Sequence, residues 1–175
     1  ERHLEGHRRM SGNWLDELPE TFNGMRVQRP AVTDVAMPAG YDGATGLVDP
    51  FEAFVFQSFK RSNADGTTSY ALPLDARHDN GLGVVHGGLL MTFADSVLGL
   101  AAWGACAPGA WCVTVSQSST FLRAARVGDL LEVTPIVTRA TRSMIFTRGD
   151  FTVAGEPIFQ AASVWKVTGK SVSSS

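Results

Sequence analysis

Residues 80–103 hold the groups in this chain that could do chemistry: Asn80, then His86-Gly87-Gly88, then Asp95 within an apolar run. Glycine allows a ligand to approach the backbone, and the unpaired N–H groups at a helix start stabilise negative charge. Gly87 and Gly88 open a helical pattern, so they are candidates for binding an anionic centre. Tight packing of the helix start beneath a sheet would explain the same two glycines. Across residues 89–103 the polar side chains are Thr92, Asp95 and Ser96. A helix of about four turns that is apolar all round is normally buried in a core, and it falls short of the roughly 20 residues a bilayer requires. A carboxylate in such a helix must be paired, neutral or working. Asp95 is the anomaly that the flanking elements have to accommodate.

Those elements change character along the chain. In residues 1–50, Asn13 is placed to cap a short helix over 13–18, ended by Pro19; turn signals follow from Asn23-Gly24 to Asp49-Pro50. This region reads as an extension of short helix and loops. Residues 51–61 are rich in aromatics and, with a turn at 63–66, pair with 67–74 as a hairpin. Residues 75–85 form the loop into the helix. Beyond Pro108-Gly109, segment 111–122 sets Trp111, Val113 and Val115 on one face and Thr114, Ser116 and Ser118 on the other. Segments 130–139, 144–153 and 158–167 continue with a period of two. The expected order is two strands, one long helix, then four strands, or three if some merge. That order predicts an α+β fold with an antiparallel sheet wrapped around one central helix, over residues 51–168. Residues 169–175 form a Ser-rich flexible tail.

At 175 residues the chain can bury one substantial core. A net charge of -2 points to neither nucleic acid nor a membrane surface as partner. The basic cluster at residues 2–9 is short, is interrupted by Glu5 and reads as a solvated tail. Cys106 and Cys112 are too few for a four-ligand zinc site and read as free thiols in a reducing compartment. No signal-peptide pattern is visible, and the expected location is cytoplasmic.

The strand order together with Asn80, His86-Gly87-Gly88 and Asp95 resembles the hotdog-fold acyl-CoA thioesterases of the phenylacetate-degradation (PaaI-like) group. The pattern there is an Asn six residues before His-Gly-Gly and an Asp nine residues after the His, spacings that this chain reproduces. Residues 121–129 (FLRAARVGD) look like that group's aromatic-to-Gly-Asp segment, and Thr114 falls where its members carry Ser or Thr. The resemblance implies hydrolysis of an acyl-CoA thioester without metal or cofactor, coenzyme A being part of the substrate. It also implies a homodimer as the minimal unit and a dimer of dimers, a homotetramer, as the assembly.

On this resemblance Asp95 is the general base or the nucleophile, and Gly87 is the oxyanion donor. Asn80 orients water or the thioester, and Thr114 holds the water or the Asp95 carboxylate. His86 and Gly88 shape the turn beside the substrate. Arg142, then Arg123, are the basic residues expected at the coenzyme A phosphates. His78 and Asp79, in the same loop, are expected to be solvated. Gly87 and Asp95 are eight residues apart, about 12 Å along a helix. A single helix cannot easily bring both to one carbonyl, whereas antiparallel helices of a twofold dimer can. Rival readings are a hotdog hydratase or dehydratase pairing a His with Asp95, a non-catalytic acyl-CoA-binding protein, and a scaffold with a degenerate site.

Overall fold

The computed structural model describes residues 21–22, 25–26, 35–45 and 50–169. The expected helix at residues 13–18 lies outside them, as do Asn23-Gly24 and all of the C-terminal tail except Gly169. The chain divides into two compact units, residues 1–32 and 33–175. In the first, strands Thr21–Phe22 (β1) and Met25–Arg26 (β2) pair antiparallel.

The second unit contains an antiparallel sheet of eight strands and one long helix. Its strands are Gly43–Ala44 (β3), Phe59–Ser62 (β4), Thr68–Pro73 (β5), Trp111–Phe121 (β6), Leu130–Val133 (β7), Ile136–Ala140 (β8), Met144–Val153 (β9) and Glu156–Thr168 (β10). The spatial order is β3-β4-β5-β7-β9-β10-β6, with β8 also paired to β9. The helix Gly87–Gly104 (α2) packs against β6, β9 and β10. This is the expected hotdog arrangement, reached by a sheet that starts upstream of Phe51, at β3.

Several expectations need correction. Residues 51–61 are not one strand: Pro50–Val55 is a short helix (α1), and strand begins only at Phe59. Proline suits a first helical turn and Glu52 favours a helix N-terminus, and these local signals outweigh the aromatic content. Segment 130–139 is two strands, because Pro135 lacks the N–H a ladder needs. Five strands therefore follow α2 rather than four.

The third correction concerns β6. Val164 of β10 lies opposite Ser116, but the next residue, Trp165, lies opposite Thr114, so Val115 is an unpaired bulge residue. A bulge reverses the alternation beyond it. Thr114 therefore shares a face with buried Trp165, and Gln117 shares that face through buried Ser163, while Ser116 points the other way. The regular grouping of Thr114 with Ser116 and Ser118 does not hold.

Leu89, Leu90, Phe93, Ala94, Val97, Leu98 and Ala102 form the buried face of α2 and meet Leu72, Leu131, Ile145, Phe151 and Phe159 of the sheet. The helix is 18 residues long with a mean hydropathy of 1.2, enough to cross a bilayer by length and composition alone. The expectation that it is too short is corrected to that extent, although one face is committed to the sheet. Its opposite face is not covered by the described residues: Met91 is 40% exposed, Trp103 is 52% exposed, and Asp95 lies open beside them. One sheet can cover only one side of a helix, so the expectation of a helix buried on nearly every side fails. On the far side of the sheet, Tyr41 packs with Phe59 and Ala71, donates its hydroxyl to Glu132 at 2.7 Å, and lies beneath the Arg61 guanidinium.

Gly149 of β9 is closely packed. A Cβ added at Gly149 would stand 2.8 Å from Val133 Cγ2 and 3.2 Å from Phe151 Cε2. We expect Gly149→Ala to destabilise the fold by about 1–3 kcal/mol through overpacking. Urea unfolding checks this as a lowered midpoint at constant slope; an unchanged midpoint would refute the packing argument.

Candidate active site

The loop before α2 is held by its own polar side chains. Asp75 caps the short 3-10 turn Ala76–His78, accepting the Arg77 N–H at 2.9 Å and pairing with the Arg77 guanidinium. His78, expected to be solvated, is only 4% exposed. Its Nδ1 accepts the Asp75 N–H at 3.0 Å, so Nε2 carries the proton and donates to the Val55 carbonyl at 3.2 Å, which ties the loop to α1. Asp79 is half-buried, its carboxylate accepting the Gly81 N–H, and Asn80 Oδ1 accepts the Leu82 N–H at 2.8 Å. Gly81 and Gly83 take positive φ, which this turn geometry requires. Val85 N–H bonds to Ala125 and His86 N–H to the His78 carbonyl, fixing the point where α2 begins.

At that point His86 is the N-cap, its Nδ1 accepting the Gly88 N–H at 2.9 Å. The Gly88 amide is thereby occupied. Gly87 N–H has no partner among the described residues, so it is the amide available to an incoming anion. A Cβ at Gly87 would lie 3.1 Å from the Phe121 ring, a tight approach that the exposed ring would have to yield to. Gly87 opens into a recess of about 340 Å³ bounded by Leu90, Phe121, Leu122 and Arg123.

Two turns along α2, Asp95 Oδ1 accepts a hydrogen bond from the Thr114 hydroxyl at 2.9 Å. The bulge at Val115 turns Thr114 toward the helix and makes this contact available. Asp95 borders a different recess, of about 310 Å³, shared with Met91, Thr92 and Ser96 of α2, Gln117 of β6, and Phe51 and Glu52 of α1. The expected burial of Asp95 is corrected: within one chain it is exposed, on the uncovered face of the helix.

The structure thus joins Asp95 with Thr114 by a hydrogen bond and Gly87 with Arg123 in one recess, and sets Asp95 in a separate recess from Gly87. Arg123 reaches toward Glu156 at 3.6 Å, both side chains being exposed. Asn80 borders neither recess, and neither does Arg142, exposed in the turn between β8 and β9. Sequence reasoning missed Gln117, whose amide donates to the Met91 carbonyl at 3.0 Å while its Oε1 accepts from Ser163. It sits in an unbroken polar run where alternation gives no sign of its direction. It also missed Phe51 and Glu52, although Pro50 followed by Glu52 is a helix-start pattern.

Residues 82–159 match the family model described as the thioesterase superfamily. A Pseudomonas aeruginosa protein, PA0474, whose name as an esterase is provisional, is 41% identical over 88 residues, 50% of this chain and 66% of the relative. Human acyl-coenzyme A thioesterase 13 is 29% identical over 93 residues, 52% of this chain and 64% of the relative. The chain therefore spans just under two thirds of the length of these curated relatives. Among solved structures, a hypothetical thioesterase protein of Streptococcus pneumoniae, crystallised with coenzyme A, is similar in fold. Its TM-score is 0.61 at 24% identity, covering 67% of this chain and 91% of that one.

His78 gives the loop a pH dependence. Burial lowers its pKa below the ordinary 6.5, outweighing the Asp75 carboxylate, which acts in the opposite direction. The neutral ring is the folded form, so its contribution to stability is complete above about pH 6.5. It is lost as pH falls from there through the lowered folded value. Thermal unfolding across pH 5–8 should show this loss in the wild type and a flatter profile in His78→Gln; parallel profiles would refute it.

Proposed function

From the match of residues 82–159 to the thioesterase superfamily model, we propose that this chain is a member of that superfamily and hydrolyses an acyl-CoA thioester to the free acid and coenzyme A, using Asp95 and Gly87 in sites shared between two subunits. The observation that carries the reading is the Asp95–Thr114 hydrogen bond on an open helix face, with the unpartnered Gly87 amide in a separate recess. Support for the substrate comes from the name of the human relative and from the coenzyme A in the pneumococcal structure.

Thr114 holds one oxygen of the Asp95 carboxylate and leaves the other to act on the thioester. That oxygen takes a proton from an attacking water or itself attacks the carbonyl carbon. Negative charge moves to the carbonyl oxygen, where the Gly87 N–H receives it. One such donor is worth about 2.7–4 kcal/mol in the transition state. Collapse of the tetrahedral species expels the coenzyme A thiolate, which takes up a proton; in the nucleophilic route, water then hydrolyses the anhydride left on Asp95 to free acid and carboxylate. Asn80 orients water or substrate with its side-chain amide, and Arg123, at the mouth of the Gly87 recess, meets the phosphates together with Arg142. His86 shapes the turn, and Gly88 serves as the residue that His86 caps.

Separation of the two recesses supports the dimer. Gly87 of one subunit faces Asp95 of the other when two α2 helices run antiparallel about a twofold axis. The uncovered α2 face and the edge strand β6, with Val113, Val115 and Phe121 exposed, are the surfaces that this dimer covers. A dimer of dimers is the proposed assembly. The hydratase alternative is weakened because His86 Nδ1 is engaged with the Gly88 amide.

Asp95→Ala should lower kcat for thiol release by about 10²–10⁴-fold. A mutant that releases thiol as fast as the wild type would refute the assignment. The shared site is tested with differently tagged, co-purified subunits. A wild-type chain paired with a Gly87→Pro, Asp95→Ala double mutant should be inactive, whereas the two single mutants on opposite chains should retain one working site. The reverse outcome would place each site within a single chain.

A further inference from the structure

The polar side chains around Asp95 divide into two kinds. Thr92 and Ser96 bond to carbonyls of their own helix, those of Gly88 and Thr92, and so do not tie α2 to the sheet. Two side chains of β6 do. Thr114 donates to the Asp95 carboxylate at 2.9 Å, and Gln117 Nε2 donates to the Met91 carbonyl at 3.0 Å. In an α-helix the carbonyl of residue 91 also accepts the N–H of residue 95. Gln117 therefore grips the backbone of the same turn whose side chain Thr114 holds.

Gln117 is itself backed from the sheet. Its Oε1 accepts at 3.1 Å from the hydroxyl of Ser163, which stands opposite it on β10 and is 2% exposed. The amide has one workable orientation: turned over, its oxygen would face the Met91 carbonyl, and two acceptors cannot bond. A chain of bonds thus runs from a buried β10 hydroxyl through Gln117 to α2. Apolar packing is non-directional and lets a helix slide slightly over a sheet, whereas hydrogen bonds weaken steeply when misaligned.

We infer that Gln117 is a positioning residue that holds the Asp95 turn of α2 against β6, so that the carboxylate meets Thr114 and keeps its aim. This rests on the reading of Asp95 as the group that acts on the thioester. Gln117 borders the Asp95 recess but acts through the helix backbone rather than on the substrate. A displacement of about 1 Å can cost on the order of 10²-fold in rate, so a partial loosening is measurable in kcat.

Thiol release is measured on acetyl-, hexanoyl- and palmitoyl-CoA for wild type, Gln117→Met, Ser163→Ala, Thr114→Ala, the Gln117→Met, Thr114→Ala double variant and Asp95→Ala. Gln117→Met, close in volume but without a donor, should lower kcat about tenfold or more while KM stays within about twofold. Ser163→Ala should lower kcat by less, and it decides the matter if Gln117→Met folds poorly by thermal unfolding, an unchanged kcat then overturning the inference. The double variant should lose less than the product of the two single losses, since both act on one carboxylate. Wild-type kcat in folded Gln117→Met, a change in KM alone, or strictly multiplicative losses, with Asp95→Ala inactive, overturns the inference and leaves the thioesterase reading standing. Asp95→Ala as active as wild type overturns both, and so does a wild type that releases no thiol from any of the three.

Discussion

A helix that is apolar on most of its circumference cannot be satisfied by one sheet, and much of this structure follows from that constraint. The sheet covers the side of α2 carrying Leu90, Phe93, Val97 and Leu98 and leaves Met91, Asp95 and Trp103 facing outward. Burying an exposed apolar face is favourable at roughly 25 cal/mol per Å², so a second subunit is the natural cover for it. The same face carries the carboxylate. On the proposed reading, chemistry and assembly draw on one surface, the one on which Asp95 is exposed in the single chain.

Much of the fold was legible. The apolar segment at 89–103, the hairpin signals and the period-two segments after it gave the element order, because those signals are local and repeated. The spacing of Asn80, His86, Gly87 and Asp95 singled out the segment from which the proposed site is built. What failed to show were features set by partners distant in sequence. His78 looked like a loop residue, but its ring is buried because Val55, far upstream, offers it an acceptor. Thr114 was identified by type, whereas its direction comes from a register shift against β10 that β6 alone does not announce. Phe51 and Glu52 were read as strand because aromatic content outweighed a proline and a carboxylate at the right positions to start a helix.

The loop and the helix start show how a small polar network prepares one backbone amide. His86 takes the Gly88 N–H, Asn80 and Asp79 close the turn ahead of it, and the His86 N–H is fixed to His78. With these donors engaged, the Gly87 amide keeps its direction without a partner of its own. A preorganised donor of this kind needs no rearrangement as charge develops, which is why a rigid turn serves better than a mobile one.

The bulge in β6 also bears on how the chain tolerates changes in length. Thr114 and Gln117 are three residues apart, an odd spacing that a regular strand would send to opposite faces; the unpaired Val115 lets both point at α2. Deleting Val115 would leave a regular strand in which the remaining residues keep their present partners and both side chains still face the helix. An added residue between them, with no second bulge, would turn one of them away. A one-residue deletion at this point therefore keeps both side chains on the helix-facing side of β6, while an insertion of equal size does not. At this position, reading frame constrains β6 more than side-chain identity does.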